Sequence, residues 1–455
     1  MALSARLEAG GWETAVPWAF FAFPSRWNLP TLVVMKAFVC SLSALAALLT
    51  SPLHAANWPA WRGPDGDGVT PETQIPLTWN ATENVRWKVA LPERGNSTPI
   101  VWGTRVFLTQ AVGKRRTLMC LDRADGKTLW QQGPEWAEAE RTHGTNPFCA
   151  ASPVTDGERV IAWFGSAGLW CFDLAGKEQW HLDLGVQDHE WGYGGSPVLE
   201  GDLCILNFGP GPRSFLIAVD KKTGKKAWQF DVPEPTPLEG PGASQKWIGS
   251  WSTPVVFDTG ARRELVATLP GALFGFDPAT GKELWRCTGM NPLCYTNALF
   301  GDGIFVGLGG FGGWAIGVRA GGSGDVTATH RLWQSKQAPQ RIGSGVFVGG
   351  RVIMPSDPGV IECLDPKTGE ILWKERVQPA GGHATSSWSS LVRSGDRFYL
   401  LTQASDTVVF RAGEKYEQLA VNALDDGMCN SSLAVSDGEL FIRTHAHLWC
   451  IAEKK

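Results

Sequence analysis

The sequence has no excess of basic residues: 41 Lys and Arg stand against 45 Asp and Glu, for a formal net charge of -4. With no long run of like charge either, it offers no positive face for nucleic acid. No apolar run is long enough for a membrane span. The 8 His show no metal-ligand spacing, and no side chains stand in a nucleophile–base spacing. What these absences leave is a globular chain of 455 residues and 43% hydrophobic content, long enough for a sizeable core.

Glycine, proline and tryptophan are plentiful, at 54, 29 and 23 residues. Gly and Pro dispersed between short apolar alternations suit an all-β chain with many tight turns. The Trp residues recur in one unit. It reads CLDPKTGEILW at 363–373, with near-copies CLDRADGKTLW at 120–130, AVDKKTGKKAW at 218–228 and GFDPATGKELW at 275–285, and a shortened CFDLAGKEQW at 171–180. Each copy reads as a hairpin. Its Asp (Asp122, Asp173, Asp220, Asp277, Asp365) can accept bonds from backbone N–H groups two or three residues on, and its Gly supplies the left-handed turn. The closing Trp (Trp130, Trp180, Trp228, Trp285, Trp373) recurs once per unit, which assigns it a structural part.

Units open with a small-residue strand: STPIV at 97–101, SPV at 152–154, SPVL at 196–199, STPVV at 252–256 and SSLAV at 431–435. A Gly turn and a second alternating strand follow. With the hairpin this makes four short antiparallel strands, one propeller blade. The closing position falls at Trp87, Trp130, Trp180, Trp228, Trp285, Trp333 and Trp373, spaced by 40 to 57 residues, with an eighth near Leu419. Two units are degenerate. RAGGSGDVTATH (319–330) replaces the Asp–Gly turn before Trp333, and the unit around Arg411, Ala412 and Gly413 has Leu419 where Trp is expected. The last unit, 431–451, has three strands, and the orphan strand VRWKV at 85–89 supplies its fourth. The expected fold is all-β: an eight-bladed β-propeller of four-stranded antiparallel blades, closed by pairing of N- and C-terminal strands, which removes open edges.

Residues 35–56, MKAFVCSLSALAALLTSPLHAA, have the basic head, apolar centre and small-residue end of a secretory signal peptide. Translation is therefore expected to begin at Met35, with residues 1–34 an artefact of the gene model. Residues 57–84, which contain WPAWRGPDGDG, form an N-terminal arm, and 85–455 the propeller. The expected location is periplasmic or secreted.

The A-x-D-x-x-T-G-K-x-x-W hairpin, clearest at 218–228, resembles the tryptophan-docking repeat of the pyrroloquinoline-quinone-type, or quinoprotein-like, propellers. That superfamily includes quinoprotein dehydrogenases and an outer-membrane assembly-factor lipoprotein, both eight-bladed. The resemblance runs from about residue 84 to the C-terminus. It implies that the Trp of one blade packs against its neighbour, and it raises pyrroloquinoline quinone with calcium as a cofactor. The sequence departs from the dehydrogenases where catalysis would sit. No two Cys are adjacent, no C-x-x-C-H haem attachment occurs, and no surrounding motif matches the calcium-ligand positions.

Cys120, Cys171, Cys363 and Cys450 hold one repeat position on the third strand, as small buried hydrophobes. Cys287 and Cys294 are close enough in sequence to bridge. The longest loops join the fourth strand of one blade to the first of the next, and all emerge on one face. They and the first-strand starts carry His143, Asn146, His189, Glu190, Lys246, Trp247, Trp251, Tyr295, Arg341, His383, Trp388 and Asn430. These are expected to line one ligand funnel; the alternative is that they only cap their loops. Arg341 is the expected holder of a carboxylate or quinone-like ligand, and Trp251 and Trp388 the stacking walls.

The first functional reading is an exported, monomeric binding or scaffold module for a peptide, protein or small polar ligand. The alternative is a quinone-dependent dehydrogenase oxidising an alcohol or sugar hydroxyl. Fold alone does not choose between them.

Overall fold

The repeated Asp–Gly hairpin forms as its chemistry dictates. In the computed structural model, which describes residues 56–136, 138–211, 213–234, 248–336 and 340–453, Asp220 Oδ1 accepts the backbone N–H of Lys222 (3.0 Å) and Thr223 (2.8 Å). Asp122, Asp173, Asp277 and Asp365 do the same in their own turns. Residues 1–34, most of the expected signal peptide, and the funnel candidates Lys246 and Trp247 lie outside the described residues.

Seven blades follow in chain order. They run from Ile100–Trp102 to Thr128–Gln132, Val154–Thr155 to Glu178–Leu182, Val198–Glu200 to Lys226–Asp231, and Val255–Asp258 to Glu283–Thr288. The next three run from Leu299–Gly301 to Arg331–Ser335, Val346–Val348 to Ile371–Arg376, and Val392–Ser394 to Tyr416–Ala423. The eighth joins Ala434–Ser436, Glu439–Arg443 and His447–Ile451 to Val85–Ala90 from the other end of the sequence. The chain is an eight-bladed propeller closed by its two ends. Among the described residues the only helix is the 3-10 turn Gly165–Ala167, and none is long and apolar enough to cross a membrane.

Period-two alternation divides each second strand between two neighbours. Val106 and Leu108 pack toward the eighth blade with Leu440 and Ile442, whereas Phe107 packs toward the second with Val160 and Phe172. Each such side chain, fully buried, contributes about 1.5–3 kcal/mol.

The closing Trp couples blades through a directed bond. Its indole N–H reaches the next blade's hairpin turn: Trp87 to Arg123 O (2.8 Å), Trp130 to Leu174 O (3.0 Å), Trp180 to Lys221 O (3.0 Å) and Trp228 to Pro278 O (3.0 Å). Trp333 and Trp373 repeat the pattern with Pro366 O and Gly413 O. The ring lies on the turn glycine: a Cβ on Gly176 would stand 2.6 Å from Trp130, and one on Gly224 2.6 Å from Trp180. The third-strand Cys position sits directly opposite the Trp, as in the pairs Cys120 with Trp130, Cys171 with Trp180, Cys363 with Trp373 and Cys450 with Trp87. Only a small residue fits there. All nine described Cys are buried and free, so Cys287 and Cys294 do not bridge; the Cys294 thiol bonds to Leu269 O instead.

The two degenerate units depart from this pattern in instructive ways. Part of the 319–330 insertion forms the strand Gly324–Asp325, which pairs with Glu283–Thr288 and covers that blade's outer edge. Trp285 finds no turn carbonyl and bonds Glu264 of its own blade. In the seventh blade the register pairs Ala420, not Leu419, with the third strand, so Leu419 is the bulge residue and Ala420 holds the Trp position. The expectation for Leu419 is thus corrected by one residue. Arm residues Ile75, Leu77 and Trp79 pack there against Leu419 and Ala420. Asn422 fixes them, accepting from Trp79 N (2.9 Å) and donating to Leu77 O (3.1 Å).

Candidate funnel on the propeller axis

The inner strands begin on one face, and the small residues that open them make a ring of hydroxyls. Ring backbone N–H groups donate to the next blade's side chain: Thr98 to Ser152 (2.9 Å), Ser152 to Ser196 (3.0 Å) and Ser196 to Thr253 (2.9 Å). Beyond Asn297 it continues to Ser344 (3.1 Å), Ser390 (2.9 Å), Ser432 (3.0 Å) and back to Thr98 (2.9 Å). Asn297 interrupts the hydroxyls in the fifth blade.

The arm enters this ring from the other face. Trp58 bridges to Val101, and Val69–Thr70 pairs in parallel with Val392–Ser394, so the arm runs along the free edges of inner strands. It passes beside the fifth and sixth blades, where Gly66 O accepts from Asn297 and Arg62 donates to Ser344 O (3.0 Å) and Gly345 O (2.6 Å). Gly68 has φ +80 with Leu391 O 2.5 Å from where a Cβ would be, so only glycine lets the backbone pass.

Above the arm opens a cavity of about 390 Å³, within the size range of ligand sites. Trp61 of the arm, Trp191, Trp251, Tyr295, Phe311 and Trp388 give it aromatic surface. The ring supplies Thr98, Ser152, Ser196, Thr253, Ser390 and Ser432, and amides come from Asn96, Asn146, Gln340 and Asn430. The three Asn hold one another and the loop at 143–146. Asn96 donates to Thr145 O and Asn146 Oδ1, Asn430 donates to Thr145 O, and Asn146 donates to Trp191 O and Tyr193 O. Trp251 is fixed by its bond to Gly192 O (3.0 Å) and meets Tyr295 edge-on at 5.1 Å.

Of the residues singled out from sequence, Asn146, Trp251, Tyr295, Trp388 and Asn430 lie together on this wall. Others stand behind or beside it. His143 stacks on the back of Trp191 with ring centroids 4.2 Å apart, and Glu190 sits just before that Trp. His189 meets Trp251 edge-on. The Arg341 guanidinium is 3% exposed and donates to Glu362 (2.7 Å) and to Gly313 O (3.1 Å), so its charge is balanced inside the wall. His383 Nδ1 lies 3.1 Å from both oxygens of the buried Asp406 carboxylate, whose bond and charge hold the imidazole pKa up. Trp61, Trp191, Phe311, Gln340 and the ring hydroxyls were not picked out from the sequence. The hydroxyls of the first four blades had a signal, a Ser or Thr immediately before Pro in STP and SP; Ser390 and Ser432 had none.

A family model described as outer membrane protein assembly factor BamB matches residues 76–209 and 212–455. This chain belongs to that family. Beyond the BamB model, it is similar to a quinohemoprotein alcohol dehydrogenase, ADH-IIG, of Pseudomonas putida, at 30% identity over 195 residues, covering 39% of this chain and 25% of the relative. It is also similar to the dehydrogenase subunit of a quinone alcohol dehydrogenase of Gluconobacter oxydans, at 22% identity over 351 residues, 72% of this chain and 38% of the relative. The chain thus spans well under half the length of the curated relatives it matches. Among solved structures, the quinohemoprotein alcohol dehydrogenase of Comamonas testosteroni superposes with a TM-score of 0.62 at 13% identity, over 90% of this chain and 82% of that one. BamB of Moraxella catarrhalis superposes at 0.53 and 13% identity, over 80% and 98%. Identities this low show the shared fold alone.

Proposed function

We propose that this protein is an exported binding module whose axial funnel takes a small ligand with a flat face. One observation carries the reading. Among the described residues, the cavity is lined by aromatic rings, amides, hydroxyls and a few small or aliphatic residues such as Leu293 and Ile342, and by no carboxylate, imidazole, amine or guanidinium. Trp191, Trp251 and Trp388 offer faces for stacking, and the Tyr295 hydroxyl and the ring hydroxyls offer donors that fix orientation. Export is supported by the signal-like residues 35–56 and by membership of a family described by an outer membrane assembly factor.

The Pseudomonas putida match favours a second reading, a quinone-dependent dehydrogenase. The lining does not fit that chemistry. Pyrroloquinoline quinone is a tricarboxylate whose reaction needs a base and a metal beside it, and no lining residue supplies either. No group of His, Cys, Asp or Glu among the described residues is arranged to hold a metal ion.

The test is a titration of the purified protein with pyrroloquinoline quinone and calcium, followed by absorbance and by dye-linked alcohol oxidation. The expected result is neither a stoichiometric complex nor turnover. A tight complex that oxidises alcohol would replace the binding module with the dehydrogenase.

A further inference from the structure

The deep end of the funnel has a character its lining does not announce. Thr98, Ser152, Ser196, Thr253, Ser390 and Ser432 are each at most 4% exposed, and all face the cavity. Each oxygen accepts a backbone N–H from the neighbouring blade. A hydroxyl also carries one proton to donate. None of these six donates it to an acceptor among the described residues, so the cavity floor is a ring of unused donors.

Two buried arginines stand behind that ring, and neither is ion-paired among the described residues. Arg62, 1% exposed, gives its N–H groups to backbone carbonyls only: Gly66, Asp67, Ser344 and Gly345. Ser344 is itself a ring member, and the guanidinium lies 5.8 Å from the centroid of Trp61, whose ring lines the cavity. The neighbouring carboxylate, Asp67, accepts from Val69 N instead. Arg443, 0% exposed, donates to Ser97 O (3.2 Å), Thr109 O (2.9 Å) and Gln110 Oε1 (2.8 Å), which places it beside Thr98. Its Nε has no partner. The titratable groups that couple to it are the Cys149 and Cys429 thiols, which burial keeps protonated, and the His445 imidazole, which burial and the Arg443 charge hold neutral. Burial lowers both arginines only to about 10, so both are charged at neutral pH.

A buried charge that is not fully compensated is unfavourable. Arg443 has no carboxylate partner among the described residues and Arg62 only the field of Asp67, with which it makes no ion pair, and both lie behind a floor of hydroxyls whose protons are unused. We propose that the floor of the funnel is an oxyanion site, and that the ligand of the binding module proposed above ends in a single carboxylate seated on the hydroxyl ring. The aromatic walls hold its flat body, and the buried arginines supply the field.

The test uses 2-naphthoate and its uncharged carboxamide as paired probes, titrated calorimetrically into the exported chain. Hydrogen bonds to a charged group are worth enough that the carboxylate is expected to bind about 10- to 100-fold tighter than the amide. In Arg62→Gln the carboxylate-over-amide preference, read as a ratio, should fall to within about threefold. Should Arg62→Gln fail to fold, Arg443→Gln and the wild-type comparison carry the same decision. Equal binding of both probes overturns the oxyanion site and leaves the binding module standing. If neither probe binds folded protein at millimolar concentration, the funnel is not a site for flat small ligands and both readings fall.

Discussion

Replacing Gly224 by Ala tests how the blades are joined, because the structure supplies an internal control in the same blade. Gly201 and Gly224 both have positive φ, +57 and +70, and both sit in hairpin turns. Nothing lies within 4 Å of a Cβ added at Gly201, whereas one at Gly224 would meet Trp180 at 2.6 and 2.7 Å. Left-handed backbone costs an L-residue about 1–2 kcal/mol, and this alone is the expected effect of Gly201→Ala. Gly224→Ala carries the same term plus overpacking of about 1–3 kcal/mol. Trp180 has no easy retreat, since its indole N–H is bonded to Lys221 O at 3.0 Å. The pair should therefore differ by about 1–3 kcal/mol in urea unfolding at matched slope. A double-mutant cycle sharpens the point: in a Trp180→Ala background, Gly224→Ala should cost no more than Gly201→Ala does. Equal effects of the two glycine substitutions in the wild-type background would refute the docking of each ring on its neighbour's glycine.

Two further outcomes are expected. Trp285→Phe should destabilise by about 1–3 kcal/mol, more than Trp180→Phe at about 1 kcal/mol, because it strips a donor from a buried carboxylate rather than from a turn carbonyl; Glu264 would keep only its bond from Arg262. Denaturant midpoints of the two variants check the order. Burial, with the charges of Arg443 and Arg94, lowers His445 to about 4, so the folded protein holds it neutral where the unfolded chain, near 6.5, is protonated. Between those values the unfolded state binds more protons, so stability should fall as pH drops from about 6.5 towards 4. A pH series of melting temperatures in which His445→Gln leaves that slope unchanged would remove His445 as its source.

The fold was legible because its signal is local and repeated. An Asp–Gly turn closed by Trp defines two strands wherever it occurs, and eight positions of the pattern define a ring. The register was harder to read. In each blade the strand slips by one residue just before the Trp, as at Trp130 and Trp228. With no aromatic to mark the slip, Leu419 is easily taken for Ala420. The insertion at 319–330 lacks period-two alternation altogether. Its strand Gly324–Asp325 exists only because the edge of Glu283–Thr288 is there to pair with.

The site was legible only in its placement. A propeller brings the starts of all its inner strands to one face, so Trp251, Tyr295, Trp388 and Asn430 had to approach one another, whatever their distance in sequence. Which way a loop side chain turns is not set by the repeat. Arg341 turns to Glu362 because that buried acid, on the third strand of the same blade, offers a charged bond that open solvent would weaken. One of the two charges behind the floor comes from where no repeat points. Arg62 belongs to the arm, which is tied to the ring by the bonds of Asn297 to Gly66 O and of Arg62 to Ser344 O. The arm therefore does two things at once: it supplies the wall residue Trp61, and it carries a cation behind a ring whose own residues are neutral. A propeller of the same blades without this arm would keep its fold-defining bonds between blades and Arg443 of its eighth blade, and lose Trp61 from the wall and the Arg62 charge beside it.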